Sequence, residues 1–239
     1  MKGLIALVGS GEYLPVMNEI DRHLLASVDT DGHMPRVVCL PTAAGLDGSE
    51  SVERWSRMGL AHFRNLGAQV NAPAIIDRAS AEDPGWHSLL AQADLLYFSG
   101  GNPMYLYETL RGSHAWGAAR QAWGRGAVYA GCSAGAMILA QKVPDFRFWG
   151  LRSLDAFQVL PAMYILPHFD RMRGLWKAFT VALRWKLKEA QYMIGIDEDT
   201  ALVGKLGQTW QVMGRGQVRL LWANRYQSYT PGREFALPE

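Results

Sequence analysis

The sequence predicts an α/β fold: a doubly wound, mostly parallel sheet flanked by helices, with a small antiparallel C-terminal extension, all in one domain over residues 1–239. Three observations carry this expectation. Short apolar runs alternate with longer amphipathic ones, the rhythm of repeated β-α units. Four apolar runs are each followed by a loop of small residues: Gly9-Ser10-Gly11, Pro41-Thr42-Ala43-Ala44-Gly45, Ser99-Gly100-Gly101-Asn102 and Gly131-Cys132-Ser133-Ala134-Gly135. The last of these joins two apolar segments directly, as a strand does when it turns straight into a helix.

The elements follow in order. Residues 3–8 read as a strand and 15–28 as a helix with Val16, Ile20, Leu24 and Val28 along one face. Residues 36–40 form the second strand, 50–66 a helix stopped by Gly67, and 70–75 the third strand. A short helix over 86–91 precedes a strand at 94–98, helices at 103–110 and 115–123, and a strand at 127–130. Beyond it the pattern is less regular: a strand at 163–166, a long helix over 171–190, and short strands at 192–196, 200–203, 209–213 and 217–220. Those last strands, joined by turns such as Met213-Gly214-Arg215-Gly216, suit an antiparallel edge. No repeat, low-complexity tract or linker is visible.

Composition excludes several classes. Charged residues make up 19% and hydrophobic ones 49%, a globular balance. A net charge of +2 without a dense basic block argues against nucleic-acid or membrane partners. The segment from Arg171 to Lys188 is basic at intervals that suit one solvent-facing helix side. The longest uncharged run, 126–141, is too short and glycine-rich to cross a bilayer. Met1-Lys2 leads straight into the first strand with no secretion signal. The two cysteines, Cys39 and Cys132, fall in strands and read as buried free thiols, so a reducing cytoplasm is expected. Six scattered histidines give no metal-ligand spacing. Gly9-Ser10-Gly11 lacks the third glycine of a dinucleotide fingerprint, since position 14 is Leu. Nine tryptophans suit a core or a subunit contact, which leaves room for a homodimer.

In a parallel sheet the small-residue loops share the carboxyl rim, where open α/β folds bind ligands. Gly131 and Gly135 free Ser133 to occupy a sharp turn with its hydroxyl exposed, as a nucleophile requires. The Ala134 amide, at a helix start, and an amide of Gly100-Gly101 are the expected donors to a developing oxyanion. The candidate base is His168, just past the strand at 163–166. Gly195-Ile196-Asp197-Glu198-Asp199-Thr200 places three carboxylates after another strand, of which alternation lets only some face the site.

Taken together, Tyr97-Phe98-Ser99-Gly100-Gly101-Asn102, Ala130-Gly131-Cys132-Ser133-Ala134-Gly135-Ala136, Pro167-His168-Phe169 and Gly195-Ile196-Asp197-Glu198-Asp199-Thr200-Ala201 occur in an order that resembles the serine peptidase family of dipeptidase E and cyanophycinase. The resemblance spans about residues 3–203. It implies a class I glutamine amidotransferase-like, flavodoxin-like sheet, a Ser-His-Glu triad at Ser133, His168 and Glu198, a small peptide substrate, and neither metal nor organic cofactor. Gly100, Gly101, Asn102 and Ala134 then belong to the oxyanion and substrate-binding surface. Arg171 and Arg173 are candidates for pairing a substrate carboxylate. Pro103 and Leu166 stand where cyanophycinases tend to carry Gln and an acidic residue, so cyanophycinase specificity does not transfer. Three rivals remain: a cysteine nucleophile at Cys132 in an amidotransferase-like enzyme, an α/β-hydrolase esterase, and a non-catalytic binding protein. The esterase is opposed by chain order, because His168 precedes Glu198.

Overall fold

The computed structural model describes residues 3–145, 152–174, 192–222 and 225–237. In chain order the first half runs β1 (Ile5–Val8), α1 (Asn18–Ala26), β2 (Arg36–Leu40), α2 (Ser49–Asn65), β3 (Gln69–Asn71), α3 (Arg78–Ala81), α4 (His87–Ala91), β4 (Leu95–Phe98), α5 (Pro103–Leu110), α6 (His114–Arg125), β5 (Val128–Cys132) and α7 (Ala134–Met137). There follow β6 (Lys142–Asp145), β7 (Arg152–Asp155), β8 (Met163–Leu166), β9 (Tyr192–Ile196), β10 (Thr200–Gly204), β11 (Thr209–Gly214), β12 (Val218–Trp222), β13 (Arg225–Tyr229) and β14 (Glu234–Ala236).

Strands β1, β4 and β5 are buried on every residue, as strands covered by helices on both faces are. Successive side chains leave a strand on opposite sides. Ile5 and Leu7 therefore enter one apolar layer with Leu106 and Leu110 of α5 and Ala119 and Trp123 of α6. Ala6 and Val8 enter the other, with Ile20 and Leu24 of α1 and Phe63 of α2. The sheet order is β14-β11-β10-β1-β5-β4-β2-β3. From β1 through β5, β4 and β2 to β3 all pairings are parallel, while β10, β11 and β14 add an antiparallel edge. The predicted parallel core and antiparallel extension are both present.

The strands near the site differ from expectation in one respect. β8 and β9 pair in parallel with each other and join β12 and β13 in a separate four-stranded sheet, order β13-β12-β9-β8. The extension thus divides: β10, β11 and β14 continue the main sheet, and β9 and β12 do not. Ile165, Ile194, Ile196, Val218 and Leu220 of this second sheet share the layer that holds Ile5 and Leu7. The long helix expected over 171–190 lies outside the described residues beyond Gly174; Arg171–Gly174 is a 3₁₀ turn. Trp176 and Trp185, two of the nine tryptophans expected in a core or a subunit contact, also lie outside them. No described helix is long and apolar enough to cross a membrane.

Candidate active site

The turn at Ser133 is built from both strand neighbours. The Ser133 amide donates to Val8 O at 2.9 Å, extending the ladder between β5 and β1 by one residue before the chain breaks away into α7. Ser133 then takes φ 49° and ψ −104°, a region non-glycine residues occupy at a cost of about 1–3 kcal/mol. Backbone passes too closely for side chains on either flank. A Cβ at Gly131 would come within 2.4 Å of Gly135, and one at Gly135 within 2.4 Å of Phe98 O. Tyr129 Oη anchors the turn from below by donating to Gly135 O at 2.7 Å.

The histidine and the carboxylate come from the second sheet. β8 and β9 are parallel neighbours, so His168 and Glu198, just past their carboxyl ends, emerge side by side. His168 has φ 51°. Its Nδ1 is 2.9 Å from Glu198 Oε1, and its Nε2 is 3.1 Å from Ser133 Oγ. The three expected residues therefore meet, although their strands belong to two sheets and not to one rim. Of the three carboxylates in Asp197-Glu198-Asp199, only Glu198 reaches the imidazole. Asp197 turns inward, paired with the buried Arg219 and accepting from the Gln217 amide at 2.9 Å. Arg219 in turn lies over the Phe169 ring, its guanidinium carbon 5.3 Å from the centroid, so the residues beside His168 and Glu198 are tied together beneath them. The Glu198 amide also donates to Asp170 Oδ1 at 3.0 Å.

Glu198 has a second partner. Arg171 Nε donates to Glu198 Oε2 at 2.9 Å. The hydrogen bond with His168, then that from Arg171, hold the Glu198 carboxyl below its ordinary value. Arg171, expected as a substrate ligand, is thus engaged through Nε by the carboxylate itself. The expectation for the Arg173 side chain falls outside what is described.

The loop after β4 sorts the expected donors. The Gly100 amide is already used, donating to Glu12 Oε1 at 2.8 Å. Asn102 caps α5: its Oδ1 accepts from the Met104 and Tyr105 amides, both at 3.0 Å, as an N-cap asparagine does. Among the described residues the Gly101 and Ala134 amides donate to no protein acceptor. Both are among the donors that the sequence suggests. Gly101, Asn102, Pro103 and Met104 also line a cavity of about 420 Å³ with Asp47, Pro144 and Asp145.

Cys132 points away from this surface. Its thiol is buried and donates to Glu12 Oε2 at 2.8 Å; burial first, and the adjacent Glu12 carboxylate second, push it well above its ordinary value. A thiol so held is a poor nucleophile. Glu12 was not singled out by the sequence. Its partners lie 88 and 120 residues away, and the only signal was an acidic residue in the first small-residue loop. Among the described residues no three His, Cys, Asp or Glu side chains are grouped to hold a metal ion.

Fold and geometry together define an α/β protein with a serine on a strained strand-to-helix turn facing a histidine–carboxylate pair. The model of peptidase family S51 matches residues 5–210, and the chain belongs to that family of serine-type peptidases. It is 28% identical over 174 residues to the uncharacterized peptidase YgaJ of Bacillus subtilis (strain 168), covering 71% of this chain and 70% of that one. The crystal structure of a peptidase from an acI-B1 Actinobacterium superposes with a TM-score of 0.90 at 35% identity, covering 99% of this chain and 98% of the other. A putative peptidase E from Listeria monocytogenes EGD-e shares the fold, with a TM-score of 0.65 at 18% identity over 90% of this chain and 100% of that one.

Proposed function

We propose that the protein cleaves short peptides or peptide ends through a Ser133-His168-Glu198 triad and an acyl-enzyme. The observation that carries this reading is the continuous pair of contacts Ser133 Oγ–His168 Nε2 and His168 Nδ1–Glu198 Oε1, at 3.1 and 2.9 Å. His168 takes the Ser133 proton as Oγ attacks the peptide carbonyl, and Glu198 holds the ring in the tautomer that leaves Nε2 free and stabilises the imidazolium. The tetrahedral oxyanion is received by the Gly101 and Ala134 amides, the latter at the start of α7. His168 then returns the proton to the leaving amine. Water, deprotonated by the same ring, releases the acyl group and restores Ser133.

The small-residue loops and the cavity beside Gly101 suit a short substrate. Arg171 retains its terminal guanidinium nitrogens on an exposed side chain, so the Glu198 contact and a substrate carboxylate are compatible. The test is a hydrolysis screen over dipeptides and short peptides, including N-terminal aspartyl and isoaspartyl forms, run beside Ser133→Ala. Turnover of at least one substrate should fall by roughly 10⁴–10⁶ in the variant. Equal turnover by both proteins on every cleaved substrate would overturn the reading.

A further inference from the structure

Glu12 is a charged residue in an unusual place, only 6% exposed beneath the loops that carry Ser133 and Gly101. Both carboxylate oxygens are committed, one to the Gly100 amide and one to the Cys132 thiol, each at 2.8 Å. It thereby ties together two rim loops and a strand end: its own loop after β1, the Gly100-Gly101 loop after β4, and Cys132, the last residue of β5 before Ser133. Contact is close enough that a Cβ on Gly100 would lie 2.8 Å from Glu12 Oε1 and 3.4 Å from Ser133 Cβ.

Two consecutive glycines let a substrate approach the backbone, but they are also the most conformationally free pair a chain can contain. A donor loop must be fixed before the oxyanion forms if it is to stabilise it. Here the fixing bonds can be named. The Ser99 amide donates to Leu40 O at 3.2 Å, the Asn102 amide to Ala43 O at 2.8 Å, and the Gly100 amide to Glu12. Three of four successive amides are tied and the Gly101 amide alone is left over. Without Glu12 the Gly100 amide would be buried and unpaired, an unfavourable state that a glycine peptide escapes by rotating.

We infer that Glu12 is a positioning residue for the oxyanion-binding loop: by holding the Gly100 amide from below, it fixes the turn that presents the Gly101 amide to the substrate over Ser133. The inference rests on the serine-hydrolase reading above and adds to it a residue that touches neither substrate nor triad.

The test uses a fluorophosphonate, whose phosphoryl oxygen takes the oxyanion's place as the serine is modified, so no natural substrate is required. Saturable inactivation gives a limiting rate and a half-saturating concentration separately. The final stoichiometry counts reactive sites, so misfolded molecules drop out of the rate. Glu12→Ala should lower the limiting rate by roughly 10–100-fold, with half-saturation within about threefold of wild type. Glu12→Gln keeps an oxygen for the Gly100 amide and should recover to within about fivefold of wild type. A limiting rate unchanged in Glu12→Ala, a change confined to half-saturation, or a Gln variant as slow as Ala would each overturn the positioning role. If wild type reacts at Ser133 while Glu12→Ala reacts equally fast, only this inference falls. If wild type is not modified at Ser133, the serine-hydrolase reading falls and this one with it.

Discussion

Of the histidine–carboxylate pairs among the described residues, the two shortest are alike in distance and different in character. His62 Nε2 lies 2.7 Å from Asp21 Oδ2, and His168 Nδ1 lies 2.9 Å from Glu198 Oε1. The first joins α2 to α1 with side chains 5% and 0% exposed; the second stands at the ends of β8 and β9 with side chains 41% and 30% exposed. Burial raises the Asp21 carboxyl above its ordinary value, while hydrogen bonds from His168 and Arg171 lower that of Glu198. Any stabilisation linked to Asp21 is therefore present in acid and lost as pH rises through its raised value. That linked to Glu198 is present at neutral pH and lost as pH falls through its lowered one. A bonded imidazole and carboxylate do not make a site. What distinguishes the second pair is a free ring nitrogen aimed at a hydroxyl on a strained turn, with unpaired amides beside it.

The comparison can be broken by exchanging its consequences. His62→Ala leaves the Asp21 carboxyl buried and unpartnered, and should cost roughly 3–5 kcal/mol in urea unfolding, with kcat per folded molecule within about threefold of wild type. Glu198→Gln should do the reverse: kcat lower by roughly 10³–10⁴, unfolding midpoint nearly unchanged. A smaller effect separates the two partners of Glu198. Arg171→Ala removes an exposed contact and should change stability by less than about 1 kcal/mol. Because that contact helps hold the Glu198 carboxyl low, its loss should move the acid limb of kcat/KM to higher pH, read from a pH–rate profile. An acid limb that stays in place would mean that Arg171 does not act on Glu198.

Much of the fold and of the candidate site is legible in the residues, and the rest has no local signal. β2, β8 and β9 were read to the residue, because each is a short apolar run with a sharp boundary. The strand expected over 70–75 is shorter, with β3 ending at Asn71. β13 was missed, since Arg225–Tyr229 is almost wholly exposed and owes its conformation to backbone pairing with β12. β6 and β7 were missed for a different reason: β6 is mostly buried, but Pro144 and the charges within both strands hide their antiparallel pairing. The assignment of β8 to a second sheet depends on pairing over long sequence separations, which no periodicity encodes. At the site, the elbow announces itself because its glycines are demanded by backbone approaching backbone. Glu12 does not, because a carboxylate's burial is decided by loops 88 and 120 residues away.

The most direct test is to find which atom a fluorophosphonate modifies, by mass mapping of the labelled protein. A single adduct on the Ser133 hydroxyl, lost in His168→Ala and retained in His62→Ala, is the expected result. An adduct on Cys132 or another side chain, or labelling of Ser133 undiminished by His168→Ala, would contradict it.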